Sequence, residues 1–400
     1  MFSLLLALIY LCFVSLGLPD SLLGSAWPTM RVDLNAPVAL AGILSMTVSI
    51  CTIVSSLFSD YLTKKFGAGV VTATSIAMTA GALLGYSIST RVWMLFLWAI
   101  PFGFGAGGVD AALNNYVALH FKSRHMSWLH CMWGIGATIS PSIMSFALFR
   151  LDSWNMGYMI VSIIQIALSV VVFVSLPLWK KVAKAENAET PKEEKETPVK
   201  ALSVKEIAAI PGAFACFITF FCYCALEQTT FLWASSYMVK HNAINAKTAA
   251  GCASLFFIGI TVGRAINGFL TMKWTDRTLI RLGQTLMLFG IGLIAIPNAT
   301  FTVAGMIVIG LGCAPVYPCI IHMTPYVFGE DKSQAMIGIQ MAFAYTGFLI
   351  MPPLFGIIAD HITINLLPVY LLFLLIVVFS MHEIVVRRNT PKSNTISFEK

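Results

Sequence analysis

Charge is scarce in this chain. Asp, Glu, Lys and Arg make up 11% of its 400 residues, whereas a soluble domain carries about 25%. With 58% hydrophobic residues and a mean hydropathy of +0.82, the composition excludes an ordinary soluble domain. Nine cysteines are present but no C-x-x-C pair, and Cys222 and Cys224 point to different helix faces, so neither a disulfide framework nor a metal site follows. The phosphate loop G-x-x-x-x-G-K-[ST] and a nucleophile elbow are also missing. Neither an ATP-driven pump nor an enzyme is expected, and no cofactor. One stretch, GFGAGGVDAALNN at 103–115, does spell G-x-G-x-x-G. A dinucleotide turn needs a strand before it, and here RVWMLFLWAIPF belongs to an apolar run too long for a strand.

What the chain has instead is long apolar runs. Crossing the hydrocarbon takes roughly 20 apolar residues as a helix, because lipid offers backbone polar groups no partner. Twelve runs qualify, at 3–29, 37–58, 69–89, 92–119, 128–149, 156–178, 207–236, 248–272, 279–297, 301–326, 335–358 and 366–386. The first lacks the basic start and A-x-A site of a signal peptide, so it is read as retained. With the N-terminus inside, the inner connections and tail hold 19 of the 25 Lys and Arg, the outer loops hold 5, and Arg264 lies within a span. The positive-inside rule then puts both termini in the cytoplasm of a cell-membrane protein. The net charge of +7 reflects this bias and not nucleic-acid binding.

Residues 180–206, KKVAKAENAETPKEEKETPVKALSVKE, read as a solvated cytoplasmic linker. They separate an N-terminal six-helix bundle (1–179) from a C-terminal one (207–386), followed by a tail at 387–400. The halves resemble each other in register. Asp20 maps to Glu227, Asp60 to Asn267, and Gly103 with Gly105 to Gly310 with Gly312, all 207 residues apart; Gly136 and Pro141 recur as Gly347 and Pro352 at 211. The expected fold is therefore an all-α membrane protein of twelve transmembrane helices in two pseudo-symmetric six-helix bundles.

These residues carry a family resemblance. SDYLTKKFG at 59–67 resembles the G-x-x-x-D-x-x-G-R-K loop of the major facilitator superfamily, with Asp60 matching its Asp, Ser56 in place of its first Gly and Thr63 of its second. GLPDSLLGSAWP, GFGAGGVDAALNN, LHCMWGIGATISP and CYCALEQTTFLW resemble stretches of its fucose permease-type sugar:proton symporters, although that pattern has Gln and Asn where this chain has His130 and Trp133. The resemblance implies an alternating-access fold and acids in spans 1 and 4 that serve proton coupling and substrate binding.

Of eighteen acids, only Asp20, Asp110 and Glu227 sit well inside spans. An ionised Asp at mid-membrane costs about 2.5–3.5 kcal/mol, so such residues face a cavity or the bundle interior, and desolvation favours the protonated carboxyl. Gly103, Gly107, Asp110 and Asn114 share an arc of about 60° on span 4, which sets small residues for close packing beside a carboxylate and an amide. Asp20 follows Pro19, where span 1 should kink. Asp20 and Asp110 are the candidates for proton coupling. Asp110, Asn114, Asn115, His130, Trp133, Glu227, Gln228, Trp233 and Gln340 are the candidates for substrate binding. For each, the alternative is a hydrogen-bonded structural residue or, for the aromatics, simple packing. Asp60, Lys64, Lys65 and Arg264 are expected at a cytoplasmic gate, Arg264 by pairing with loop acids; His322 and His382 read as interfacial.

The expected function is proton-coupled uptake of a sugar or similar small polar solute by a monomer in the bilayer, with Na⁺ left open as coupling ion. An efflux antiporter is the alternative, because Gly136-x-x-x-Ser140-Pro141 is a degenerate form of the antiporters' G-x-x-x-G-P signature.

Overall fold

The computed structural model describes residues 2–37, 40–181, 204–244 and 246–389. Most of the expected linker and the end of the tail lie outside the described residues. Within them every regular element is helical. Eleven helical segments are long and apolar enough to cross a membrane, and the twelfth position is held by Ala246–Leu270, whose part Leu255–Leu270 is apolar. The spans are, in order, Ser3–Trp27, Leu40–Phe66, Ala68–Ser87, Val92–His120, Ser123–Arg150, Trp154–Lys181, Ala213–Asn242, Ala246–Leu270, Asp276–Ile294, Ala299–Phe328, Glu330–His361 and Ile364–Arg388.

Span 1 is two helices, Phe2–Asp20 and Leu22–Asp33, broken at Ser21 immediately after Pro19 and Asp20. The break falls where the proline denies a backbone donor. Span 7 starts at Ala213, later than the apolar run suggests, because Gly212 takes the left-handed conformation (φ 85°) and separates it from the short helix Val204–Ala208. Gly67 (φ 82°) and Gly329 (φ 99°) each form a one-residue connection, from span 2 to 3 and from span 10 to 11. Residues with a Cβ adopt that backbone rarely. Ser153, Thr275 and Asn298 cap spans 6, 9 and 10 through side-chain oxygens that accept from backbone N–H groups.

The internal repeat is visible in the packing. Gly103 of span 4 lies against the Val48 carbonyl of span 2, and its counterpart Gly310 of span 10 lies against the Phe256 carbonyl of span 8. Gly136 of span 5 meets the Val14 carbonyl of span 1, as Gly347 of span 11 meets the Phe221 carbonyl of span 7. Membrane helices gain little from apolar burial against each other, so backbone contact through glycine is what fixes these pairs. Spans 1 to 6 close around one half and spans 7 to 12 around the other, while exposed apolar residues such as Val174, Phe269 and Phe373 face outward. Trp93 and Trp274 are exposed near span ends, but Trp154 and Trp179 are buried, Trp154 donating to Asp33 and Trp179 packing on Tyr116.

Candidate functional site

The two halves meet through spans 2, 4 and 5 on one side and 8, 10 and 11 on the other. The contacts concentrate toward the membrane face that carries the linker. Ser333 Oγ donates to Asn115 Oδ1 (2.6 Å), Gln334 Nε2 to Ser59 Oγ (3.3 Å), and Asn267 Nδ2 to Ser127 Oγ (2.7 Å). Asp276 joins them: it accepts from Ser123 Oγ and lies 2.7 Å from His322 Nδ1, while His322 Nε2 lies 3.2 Å from the Phe121 carbonyl. His322 is therefore a buried tie between halves, not an interfacial residue. His382 is likewise buried.

Above this closed end a polar chain links the halves. Asp110 Oδ2 accepts from Tyr345 of span 11 (3.0 Å), and Oδ1 accepts from Asn114 Nδ2 (2.8 Å). Because that amide is committed to the carboxylate, Asn114 Oδ1 is left to accept from His130 Nε2 at 3.0 Å. His130 packs edge-on between Phe13 and Tyr317. In the C-terminal half Tyr223 donates to Glu227 Oε2 (2.5 Å), and Arg264 reaches Glu227 Oε1 at 4.0 Å. The Arg264 guanidinium lies over the Trp133 ring, 5.5 Å from its centroid, and Trp133 Nε1 donates to Asp20 Oδ2 at 2.7 Å. Three carboxylates and one guanidinium thus share a region in which Asp110, Glu227 and Arg264 are buried and Asp20 is exposed.

Several sequence candidates belong here and several do not. Asp20, Asp110, Asn114, His130, Trp133 and Glu227 are brought together. Arg264 joins them too, which corrects its expected place: it is buried and meets Glu227 and Trp133 in place of loop acids. Asn115 faces Ser333 in the closed end, one residue round the helix from Asn114. Gln340 is held by Thr324 and Cys216 inside the C-terminal half, and Trp233 donates to the Pro352 carbonyl. Gln228 is half-buried and lies about 100° round the helix from Glu227. Of the residues expected at a gate, Asp60 pairs with Lys64 at 3.0 Å, whereas Lys65 is exposed and donates to Tyr61. From the sequence Tyr345 and Tyr223 are expected only as rings for stacking; an aromatic in a span carries no local sign that its hydroxyl has a carboxylate to meet.

A helical membrane protein with two pseudo-symmetric halves around a polar centre has the architecture of a carrier. The profile described as the Major Facilitator Superfamily matches residues 9–251 and 216–400. The chain belongs to that family of multi-pass membrane transporters. The two matches begin 207 residues apart, at 9 and 216, which is the register of the internal repeat. Bypass of stop codon protein 6 of Saccharomyces cerevisiae is 23% identical over 405 residues, spanning 92% of this chain and 79% of that protein. The glucose/mannose transporter GlcP of Bacillus subtilis is 21% identical over 274 residues, spanning 68% and 67%. The fold is similar to that of FucP in its outward conformation, with a TM-score of 0.78 at 14% identity over 95% of this chain and 98% of that one; FucP is the E. coli fucose:proton symporter.

Proposed function

We propose that the chain is a secondary active transporter that takes up a sugar or similar small polyol together with protons, by rocking of its two halves about the central polar site. The observation that carries the reading is the bond from Tyr345 to Asp110, since it makes one carboxylate both a tie between halves and the end of the Asn114–His130 chain. A carboxylate that must give up this bond when the halves part is placed to couple its protonation to the movement. Asp20 is the second acid, on the exposed side of the site, where a proton can arrive from solvent. The similarity to a glucose/mannose transporter supports a sugar as cargo.

In this reading both termini and the linker are cytoplasmic, the membrane is the cell membrane, and the halves are closed toward the cytoplasm and open outward. Asp60 and Lys64, with the His322–Asp276 contact, act as the cytoplasmic gate. The test is uptake into proteoliposomes across a sugar panel, with and without an imposed proton gradient. Accumulation that follows the gradient inward supports the reading. Uptake indifferent to a proton gradient, or expulsion driven by it, overturns it.

A further inference from the structure

Beside Asp20 the N-terminal half holds a cavity of about 180 Å³, lined by Asp20, Ser45, Ser49, Tyr86, Phe102 and Tyr158 among others. None of Ser45, Ser49, Tyr86 and Phe102 was expected in a site, and the polar chain around Asp110 does not use them. The Tyr86 and Tyr158 rings lie 5.3 Å apart at 31°, and Phe102 meets Tyr86 edge-on at 6.3 Å, so three rings line one side. The hydroxyls of Tyr86, Tyr158, Ser45 and Ser49 make no hydrogen bond to another described residue. Trp133 occupies Oδ2 of Asp20, and Oδ1 likewise has no such partner.

Span 2, which lines the cavity through Ser45, Val48 and Ser49, is also one of the spans that meet the other half. Ser45, Ser49, Thr52, Ser56 and Ser59 fall within about an 80° arc of span 2 at 100° per residue. At the closed end this stripe packs on span 11, through Gly338 against Ser56 and Gln334 against Ser59. Thr52 of the stripe donates to the Gly103 carbonyl of span 4, and Ser49 and Ser45 continue it to the cavity. The exposed apolar residues Ile43, Met46 and Ile50 occupy the opposite side of the helix and face lipid.

We propose that this alcove is a binding site for one six-membered sugar ring, an aldopyranose, seated on the three aromatic rings with its hydroxyls on Ser45, Ser49, Tyr86, Tyr158 and Asp20. A purely apolar cavity of about 150 Å³ admits a benzene ring. The alcove is of that order of size but lined by unpartnered hydroxyls and a carboxylate, which suits a ring that carries hydroxyls. The second ring of a disaccharide would have to project from its mouth. The C–H face of the ring packs on the aromatics, and donors and acceptors on its edge replace water at the serines and Asp20. The proposal rests on the uptake reading and adds to it a ring size and a set of contacts on spans 2, 3, 4 and 6.

The experiment reconstitutes the full chain in liposomes and measures exchange of radiolabelled glucose, mannose, fucose and xylose by three proteins. These are the native chain, Ser45→Phe, which fills the mouth from an exposed position, and Tyr158→Phe, which keeps the ring and removes its hydroxyl. Exchange by the native chain with a half-saturation concentration raised at least tenfold in Ser45→Phe and several-fold in Tyr158→Phe is the expected result. Native exchange with both variants unchanged overturns the alcove while leaving the carrier reading in place. No exchange of any pyranose by the native chain overturns the sugar reading, and the alcove with it. Monodisperse elution of each variant in detergent establishes that it is folded, and maltose in the same panel checks ring number: its exchange at rates equal to glucose also overturns the proposal.

Discussion

The hydroxyl of Tyr345 donates to Oδ2 of Asp110 at 3.0 Å, and the two residues are 235 positions apart in different halves of the molecule. The other hydrogen bonds to these acids stay within one half: Trp133 donates to Asp20, Asn114 to Oδ1 of Asp110, and Tyr223 to Glu227. Several consequences of that arrangement can be measured.

Tyr345→Phe removes the tie and little else. A hydrogen bond to a charged group contributes about 1.5–3 kcal/mol, so the state in which Asp110 and span 11 meet should lose roughly tenfold or more in population. Substrate affinity measured from the far side of the membrane should fall with it. An unchanged affinity and an unchanged rate of interconversion, read by cysteine accessibility, would show that the bond is incidental.

Asp20→Asn mimics a permanently protonated acid. Gradient-driven accumulation should be abolished while exchange across the membrane persists, because exchange needs no net proton movement. Asp110→Ala should instead weaken substrate binding itself, by about 1–3 kcal/mol for an unmade hydrogen bond. Accumulation by Asp20→Asn with native pH dependence would remove Asp20 from the coupling role.

Arg264 and Glu227 form a buried pair at 4.0 Å. Removing one partner of a buried pair leaves an uncompensated charge, which costs about 3–5 kcal/mol. Glu227→Ala should therefore lower thermal stability in detergent sharply, and Glu227→Ala with Arg264→Met should recover much of the loss. Equal melting temperatures for the single and double variants would mean that the pair does not interact.

His322→Ala opens the end that carries the linker, since it removes the contact with Asp276 and with the Phe121 carbonyl. The halves should part there more often. A cysteine at Ser127, buried against Asn267 in the closed end, should then be labelled faster by a water-soluble maleimide than in the native background. Equal labelling rates would place the closure elsewhere.

The linker at 180–206 should resist protease added to right-side-out vesicles and be cut in inverted ones. Cleavage in right-side-out vesicles would reverse the orientation inferred from Lys and Arg.

The candidate site was partly legible in the sequence. Asp20, Asp110 and Glu227 stand out because an ionisable group in an apolar span is costly and needs a reason to be there. The amides were harder to sort. Asn114 and Asn115 are adjacent, yet a rotation of 100° about the helix sends one to Asp110 and the other to Ser333 in the other half. Gln340 carries the same side chain chemistry as a sugar ligand but is spent on Thr324 and Cys216.

The sequence by itself determined that the chain crosses a membrane as helices, that it does so in two related halves, and which side is rich in Lys and Arg. Lipid offers no partner to a backbone N–H, so apolar length alone compels helix, and a register of 207 survives in glycines that backbone contact requires. Only the tertiary structure decided which acid meets which partner, where Arg264 lies, that His322 ties the halves, and that spans 2, 3, 4 and 6 leave an alcove beside Asp20. The reason is that these helices are apolar nearly all round, so no local period says which face turns inward. That choice is made by close packing between segments far apart in the chain, and it exists only once both are in place.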